Sequence, residues 1–332
     1  MAKFSNQKLK LLYTLDILKK YSDEEHPLNS EQIAEKLLEN GIEAERKSIY
    51  SDISSLTDYG YDIIKASGKQ RGWFLGDREL EIPEIYLLCD AVRSADFISA
   101  KKTRELLSKL NGMLSVFEAK RRKNAVFFTE SAKCENEEIY YNIDKISRAI
   151  EEKKQITLMY SQRAFSSERE FEKDKKEMQI SPYALTWNDD HYYVIGNYSK
   201  YNNLLHLRLD RINTVNITEV PMRHFSEVSE YKDFFDVADY TNKLFGMHSG
   251  VLTEIELQCK KTILEPVLDR FTENIFMKKV TDTEFSFSTK AMLSEALVTW
   301  ILNYGSNITV TKPEELREMV KKRAMDVLKN YN

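Results

Sequence analysis

The spacing of apolar residues changes along this chain, and that change limits what the chain can fold into. Apolar residues recur every three or four positions through most of residues 7–122, and they alternate with polar residues over much of 156–217. Both patterns occur after residue 250. The first spacing is typical of helices and the second of strands, so an all-α or all-β fold is excluded. With 332 residues, too many for one core, the sequence predicts an α+β protein of several domains.

Composition excludes several classes of protein. Apolar residues make up 42% of the chain and charged residues 31%, which is too apolar for a disordered protein. The N-terminus has no apolar run of signal-peptide length, and no later stretch reaches the roughly 18 apolar residues of a membrane span. We therefore expect a cytoplasmic protein. Cys89, Cys134 and Cys259 lie far apart without a CxxC pair, so we expect neither a disulfide framework nor a metal or cofactor site.

The sequence pattern of the first part of the chain, residues 7 to about 78, predicts three helices followed by a hairpin. One helix carries a stripe that we expect to be buried, formed by Leu11, Leu12, Leu15 and Leu18. Asn29 and Gln32 resemble a capping box at the start of a second helix. The apolar face of that second helix is formed by Ile33, Ala34, Leu37 and Leu38.

The third helix has two different faces. It begins near Glu45 or Arg46, places Ile49, Ile53 and Leu56 inward, and ends before Gly60. Cations, hydroxyls and one aromatic ring occupy the other face and the tip of the following hairpin. These residues, which we predict to contact DNA, are Arg46, Lys47, Ser48, Tyr50, Ser51, Lys65, Lys69 and Arg71. The alternative is that they are ordinary solvated charges on a small helical domain.

The segment from Leu28 to Leu56 resembles a family of winged helix-turn-helix domains. SEQIAEKL matches the second-helix pattern E-x-[IL]-A-x-x-L, and ERKSIYSDISSL matches a recognition helix R-x-[ST]-[IV]-x-x-D-[IL]-x-x-L. The family usually has a serine cap where this chain has Glu45. The resemblance implies a DNA-binding domain over residues 1–78, with the hairpin as its wing.

Charge counts argue that any contact with DNA is local. Residues 1–78 contain 12 Lys and Arg against 13 Asp and Glu, and the chain carries a formal net charge of -4. Proteins that coat nucleic acid without selectivity usually carry a broad basic surface.

The sequence pattern of residues 139 to about 220, the third zone of the chain, predicts a helix and five short strands. A small closed barrel is the simplest arrangement of these strands. The strands span 156–160, 178–187, 191–197, 204–208 and 212–217, with a tight turn at Asn188-Asp189-Asp190. The charged stretch Ser161 to Glu177 interrupts this pattern, so we expect it to be an exposed, mobile excursion.

Three segments of this zone, ISPYALTW, HYYVIGNY and LLHLRLDRI, resemble the WYL domain. The naming triplet is Tyr192-Tyr193-Val194, and Arg208-Leu209-Asp210-Arg211-Ile212 matches the family's R-[LV]-D-[RK]-[IM] run. The resemblance implies an SH3/Sm-like barrel over 138–222 that binds a nucleotide or short nucleic acid, and a role in phage defence. The candidate effector residues are Tyr183, His191, Tyr193, His206, Arg208 and Arg211. A tyrosine here can also be core packing, and Arg208 or Arg211 can simply pair with Asp210.

The remaining zones are a helical linker and a C-terminal α+β part. Apolar residues at helical spacing in 79–137 either mediate dimerisation or only cover their own domain. Residues 223–332 alternate strands and helices, including a helix from Met292 to Asn303, and resemble the sandwich-like extension that follows WYL modules.

The sequence therefore predicts a homodimeric, ligand-sensing transcription regulator that binds a double-stranded operator. An alternative is an accessory protein that binds RNA or single-stranded DNA through the WYL domain and uses its helix-turn-helix to contact proteins. An enzyme is not expected, because the chain has no P-loop, GxSxG or HExxH motif.

Overall fold

The computed structural model describes residues 9–67, 70–123, 133–165, 171–271 and 275–331. The chain divides into two compact units, Met1–Glu135 and Asn136–Asn332. The finer division into four domains at residues 78, 137 and 222 stays a prediction. The elements of the first unit are α1 (Lys10–Tyr21), α2 (Ser30–Glu39), α3 (Arg46–Tyr59), β1 (Ile63–Ala66), β2 (Gly72–Leu75), α4 (Ile82–Ser94), α5 (Ala100–Asn111) and α6 (Val116–Lys123).

Local signals set the ends of the first three helices. The side chain of Asn29 accepts hydrogen bonds from two backbone amides of α2, and Gln32 accepts one from the Asn29 amide, which completes the predicted capping box. Gly60 ends α3 in the left-handed conformation at φ 119°, which favours glycine. Behind the three helices lies a core formed by Ile17, Leu18, Leu28, Ile33, Leu37, Ile42, Ile49, Ile53 and Trp73.

The antiparallel hairpin β1-β2 joins this core through its second strand. Trp73 exchanges two backbone hydrogen bonds with Leu28, the residue just before the cap of α2. A Cβ on Gly72 would lie 2.4 Å from the Leu28 carbonyl carbon, so this close approach requires glycine. The hairpin is thus fixed beside α2.

A buried ion pair holds α3 against α1. The Lys10 Nζ lies 2.8 Å from Oδ2 of Asp52 and also donates a hydrogen bond to Oγ of Ser48. Both charged residues are only 9% exposed. Since a buried charge is costly unless it is paired, each of these side chains depends on the other, and together they fix the rotation of α3.

Two apolar residues that we predicted to be buried are exposed. Leu12 is 57% exposed and Leu38 is 60% exposed. The buried face of α1 is centred instead on Thr14, Ile17 and Leu18, because the packing of α1 against α2 and α3 sets its rotation. Spacing alone overestimated the width of both apolar faces.

Helices α4, α5 and α6 are tied to the first three helices by polar contacts. The Arg78 guanidinium donates to the carbonyls of Lys19, Ser22 and Met113, at 2.9 to 3.1 Å. The hydroxyl of Ser115 donates to Asp23 at 2.6 Å. All of these groups are buried or half-buried, so the contacts are well shielded from water.

The second unit begins with a helix and a five-stranded sheet and continues with a second sheet and its helices. Its elements are α7 (Ile139–Glu151), β3 (Lys154–Phe165), β4 (Phe171–Asn188), β5 (His191–Tyr198), β6 (Leu205–Arg208), β7 (Ile212–Pro221), α8 (Val237–Asn242), β8 (Val251–Lys260), α9 (Leu264–Phe271), β9 (Met277–Lys279), β10 (Glu284–Leu293), α10 (Glu295–Asn303), β11 (Ile308–Lys312) and α11 (Glu314–Lys329).

The first sheet has the order β6-β5-β4-β3-β7 and is antiparallel throughout. The predicted tight turn between β4 and β5 is confirmed, since Asp189 and Asp190 both have positive φ, as a two-residue hairpin loop requires. A 3-10 helix, Leu209–Arg211, leads from β6 to β7. No pairing joins these two edge strands in the described residues, so the predicted closed barrel is not found.

The charged stretch from Ser161 to Glu177 differs from its prediction. Residues 162 and 174–177 are exposed, as expected, but the parts on either side of residues 166–170 extend β3 and β4 instead of interrupting them, pairing from Ser161 with Lys175 to Phe165 with Phe171. Backbone hydrogen bonds satisfy this hairpin, so it does not need an apolar pattern to form.

The second sheet has the order β11-β8-β10-β9. Helices α9, α10 and α11 cover it, and their buried contacts include Val267, Ile301 and Leu316. This agrees with the predicted mixture of strands and packed helices. The predicted helix from Met292 begins only at Glu295, because β10 continues to Leu293 and Ser294 caps the helix. In the described segments, none of the helices combines the length and apolar character needed to span a membrane.

We predict that Asp52→Ala will destabilise the first unit by about 3 to 5 kcal/mol, because it leaves the Lys10 ammonium buried without a partner. The double variant Lys10→Met with Asp52→Leu should recover most of this loss. Urea unfolding followed by Trp73 fluorescence, in a chain whose other two tryptophans are replaced by phenylalanine, measures the effect. Asp58→Ala, on the exposed side of α3, is the control. Equal midpoints for Asp52→Ala and Asp58→Ala would show that the ion pair does not hold α3.

Candidate functional site

The outward face of α3 carries four of the predicted DNA-contacting residues. Arg46, Lys47, Tyr50 and Ser51 are all exposed. The Arg46 guanidinium lies 5.7 Å from the Tyr50 ring centroid and donates a hydrogen bond to its hydroxyl, which lowers the pKa of Tyr50. The Tyr50 ring packs edge-on against Trp73 of β2, at 4.7 Å between centroids. This face therefore combines free cations with a ring that is braced by the hairpin.

The remaining predicted DNA contacts differ in their placement. Lys65 and Arg71 are exposed on the hairpin, and the charge of Lys65 contributes to lowering the pKa of Tyr50, which places that lysine near the α3 face. Ser48 is half-buried, and its hydroxyl accepts the hydrogen bond from Lys10, so it acts on the position of α3. Lys69 lies outside the described residues.

In the second unit, one face of the five-stranded sheet collects four of the predicted effector residues. Tyr193 of β5 stands opposite Arg208 of β6 in the ladder, and His191 lies two residues earlier on the same face. Arg211 follows in the 3-10 helix and is exposed. Its charge and that of Arg208 both act on the pKa of Tyr193, which burial raises. Phenol, imidazole and guanidinium groups are thus close together.

Arg208 already has a partner. Its Nε and Nη2 donate to the two carboxylate oxygens of Asp210 at 3.0 and 2.8 Å, in a bidentate geometry. The two side chains are 24% and 17% exposed. The predicted pairing with Asp210 therefore exists, and an anionic ligand must compete with that carboxylate for the guanidinium.

Two buried polar atoms at the edge of this face have no protein partner in the described residues. They are Nδ1 of His191 and Oδ1 of Asn188, which occupy opposite positions in the β4-β5 ladder. Buried polar atoms are normally hydrogen-bonded, so a water molecule or a ligand is needed here. We name the group of Asn188, His191, Tyr193, Arg208 and Arg211 the sheet site.

Tyr183 and His206 do not belong to the sheet site. Tyr183 occupies the irregularity between Pro182 and Ala184 and is part of the core, where burial raises its pKa to about 12. His206 is held between Tyr240 and Ser249, with 3.0 Å from Nε2 to the tyrosine oxygen. Burial lowers the pKa of His206 to about 4, so it is neutral near pH 7. The contacts of both side chains are therefore with neighbouring residues of the fold and not with the sheet site.

Several residues that position these sites were not predicted from the sequence. Lys10 and Asp52 fix α3, and Arg78 fixes the helices behind it. Arg270 of α9 lies over the rings of Phe245 and Phe271 and donates to the carbonyls of Asn242 and Leu244. A charged residue on the buried face of a predicted helix was the available signal for Asp52. Arg78 and Arg270 bind backbone carbonyls, which leave no pattern in the sequence.

Comparison with protein-family models assigns both parts of the second unit. Residues 141–217 match the model of the WYL domain, and residues 253–328 match that of the WCX domain. The second unit is therefore similar to a WYL domain in its first part and to a WCX domain in its second. The sheet site lies on the WYL domain, since its strands β5 and β6 fall within the matched residues. The predicted C-terminal extension corresponds to the WCX domain.

Curated proteins and solved structures add little to this assignment. None of the curated proteins matches the chain. Among solved structures, the chain is similar to proteasome accessory factor B/C (PafBC) of Arthrobacter aurescens, with 14% identity and a TM-score of 0.27. The match covers 94% of this chain and 46% of that chain, so this chain spans about half the length of that structure.

We predict that the second unit will lose stability as the pH falls from about 6.5 to about 4. His206 takes up a proton at its ordinary pKa of 6.5 when unfolded and only near 4 when folded, so the unfolded state binds more protons in this window. The free energy of unfolding should fall by up to about 3 kcal/mol. Thermal unfolding by circular dichroism between pH 7.5 and 4.5 measures it. His206→Gln should flatten the pH dependence and exposed His224→Gln should not; parallel curves for these two variants would contradict the prediction.

Proposed function

We propose that this protein is a DNA-binding transcription regulator whose first unit is a winged helix-turn-helix. The observation that carries the proposal is a WYL domain in the same chain as a three-helix and hairpin unit whose third helix exposes Arg46, Lys47, Tyr50 and Ser51. In this proposal α3 lies in the major groove, where arginine recognises guanine and hydroxyls contact bases or phosphates. Lys65 and Arg71 of the wing then contact the backbone.

The local nature of the cationic face agrees with selective binding. Arg46 and Lys47 are exposed, and the structure shows no acidic ion-pair partner for either in the described residues. They are free to displace counterions from phosphates. Recognition then depends on a small number of contacts, which favours a protein that reads two half-sites.

Dimerisation supplies the second half-site. We propose a homodimer in which α4 contributes to the interface, because Leu87 and Leu88 of this helix are 71% and 42% exposed. Two recognition helices about 34 Å apart would contact successive major grooves on one side of the duplex. Sedimentation equilibrium of the full chain measures the association state.

The proposed effector is a nucleotide or a short nucleic acid bound at the sheet site. Arg208 and Arg211 supply guanidinium groups for phosphate, Tyr193 supplies a ring, and the unpartnered His191 Nδ1 supplies a polar contact. Because Asp210 occupies the Arg208 fork, the ligand binds by releasing that carboxylate. An effector regulates DNA binding only through different affinities for two arrangements of the protein. The predicted role in phage defence is not tested by these observations.

We predict that the double variant Arg46→Ala with Lys47→Ala will lower operator affinity at least about tenfold and reduce the salt dependence of binding. Duplexes selected from a random-sequence library define the operator, and fluorescence anisotropy at several salt concentrations measures affinity. Lys321→Ala with Lys322→Ala, on the exposed side of α11, removes the same charge and is the control. Unchanged affinity would refute the assigned recognition helix. Selection of single strands instead of duplexes would favour the accessory nucleic-acid-binding alternative.

We predict that Arg208→Gln with Arg211→Gln will abolish the change in operator affinity that nucleotides cause while leaving operator affinity itself unchanged. A panel of mononucleotides and short single-stranded oligonucleotides is titrated into the protein-operator complex and followed by anisotropy. Arg148→Gln, an exposed cation of α7, is the control. An intact response in the double variant would exclude the sheet site, and loss of the folded state would show that the two arginines are structural.

A further inference from the structure

A cavity of about 450 Å³ lies apart from the sheet site, where the WYL and WCX domains meet. Three segments of the second unit line it. They are the β5-β6 connection at 202–204, the stretch 228–231 with Tyr240 of α8, and the ends of the WCX strands at 249–252 and Met292. The volume is within the range of roughly 300 to 1,000 Å³ that is typical of small-molecule sites.

The cavity has apolar walls and aromatic rings. Leu204 and Val228 are buried, and Leu252 and Met292 are half-buried, which provides a surface for an apolar or aromatic group. The rings of Tyr231 and Tyr240 meet edge to face, 6.2 Å between centroids. Tyrosine faces also attract cations.

The charge around the cavity is negative. Glu230 is the one charged side chain among the described residues that line it. Lys243 lies behind Tyr231, but its ammonium is bonded to Glu230 at 2.7 Å and to Asp239 at 2.6 Å. Two carboxylates thus surround one ammonium.

The other nearby cations do not line the cavity. Lys290 of β10 is exposed and its charge acts on Asp239, and Arg223 pairs with Glu227 at 3.1 Å. His206, which bonds the hydroxyl of Tyr240, is neutral near pH 7. Since the described lining of the cavity contains no cation, an anionic ligand would lose its hydration there without compensation.

We propose that this cavity binds a small organic cation with an aromatic or apolar body, whose ammonium group pairs with Glu230. Lys243 bonds Oε1 of Glu230, and the side chain is 44% exposed and lines the cavity, so the carboxylate can accept a second hydrogen bond from an ammonium. Such a ligand would contact the WYL domain through Leu204 and the WCX domain through Leu252 and Met292. The proposal is independent of DNA binding and differs in charge from the sheet site, where arginines favour anions.

Three probes with the same ring and different charge test the proposal by isothermal titration calorimetry on the full chain. They are tryptamine, a cation; tryptophol, its neutral alcohol; and indole-3-propionate, an anion. Tryptamine should bind, tryptophol should bind at least about tenfold more weakly, and indole-3-propionate should give no binding heat, because a charge-assisted contact is worth at least a factor of ten. Equal or tighter binding of the neutral or anionic probe, or no binding of tryptamine, would overturn the proposal.

Two variants test whether the probes bind in the cavity. Glu230→Gln should weaken tryptamine about tenfold and leave tryptophol unchanged, whereas Glu219→Gln, an exposed carboxylate of β7, should change neither. Ser249→Trp, which puts bulk at the exposed edge of the cavity, should weaken both probes, with an unchanged circular dichroism spectrum showing that the chain is folded. If tryptamine binds equally to all three variants, it binds elsewhere and the proposal is wrong.

Discussion

A single buried ammonium determines how the first unit presents its outward face. Lys10 has almost no access to water, so its charge has to be satisfied by Asp52 and Ser48 on α3. Hydrophobic contacts along α3 tolerate small rotations, but a charged pair at 2.8 Å does not. The direction in which Arg46, Lys47 and Tyr50 point is therefore a consequence of electrostatics at the far side of the helix, and the packing of Tyr50 on Trp73 adds a second fixed point.

The second unit carries two surfaces that differ in charge, the sheet site and the cavity at the domain junction. At the sheet site, positive groups converge, and the bidentate contact with Asp210 keeps Arg208 ordered in the absence of a ligand. At the junction of the two domains, the described lining of the cavity contains one charged side chain, the carboxylate of Glu230. If both proposed sites bind ligands, their opposite charge preferences would let one protein distinguish ligands by the sign of their charge.

Much of the element order was predictable from sequence, because periodicity and capping are local. The capping box at Asn29, the end of α3 at Gly60 and the turn at Asp189 and Asp190 are confirmed, since each depends on residues within one turn of each other. The exposure of Leu12 and Leu38 was missed because it depends on which helices pack against those faces. The hairpin beyond Ser161 was missed because backbone pairing needs no apolar alternation.

Predicting the sites was harder. Histidine is a common ligand-binding residue, and the contacts that separate His206 from the sheet site, with Tyr240 and Ser249, leave no pattern in the sequence. The sheet site was predictable in part, since Tyr193 and Arg208 lie on neighbouring strands. The cavity at the domain junction was not predictable at all, because its walls come from segments up to 90 residues apart that have no shared motif.

The three carbonyls bound by Arg78 limit how a conformational change could pass through the first unit. They belong to the end of α1, the residue after it and the connection between α5 and α6, so the helices that carry α3 and those that follow are held by one guanidinium. A change that reached α3 by bending the unit would have to break these bonds together. We therefore expect the unit to move as a rigid block. In the proposed dimer, the DNA-competent and incompetent states would then differ in the angle between two blocks, while the interior of each stays the same.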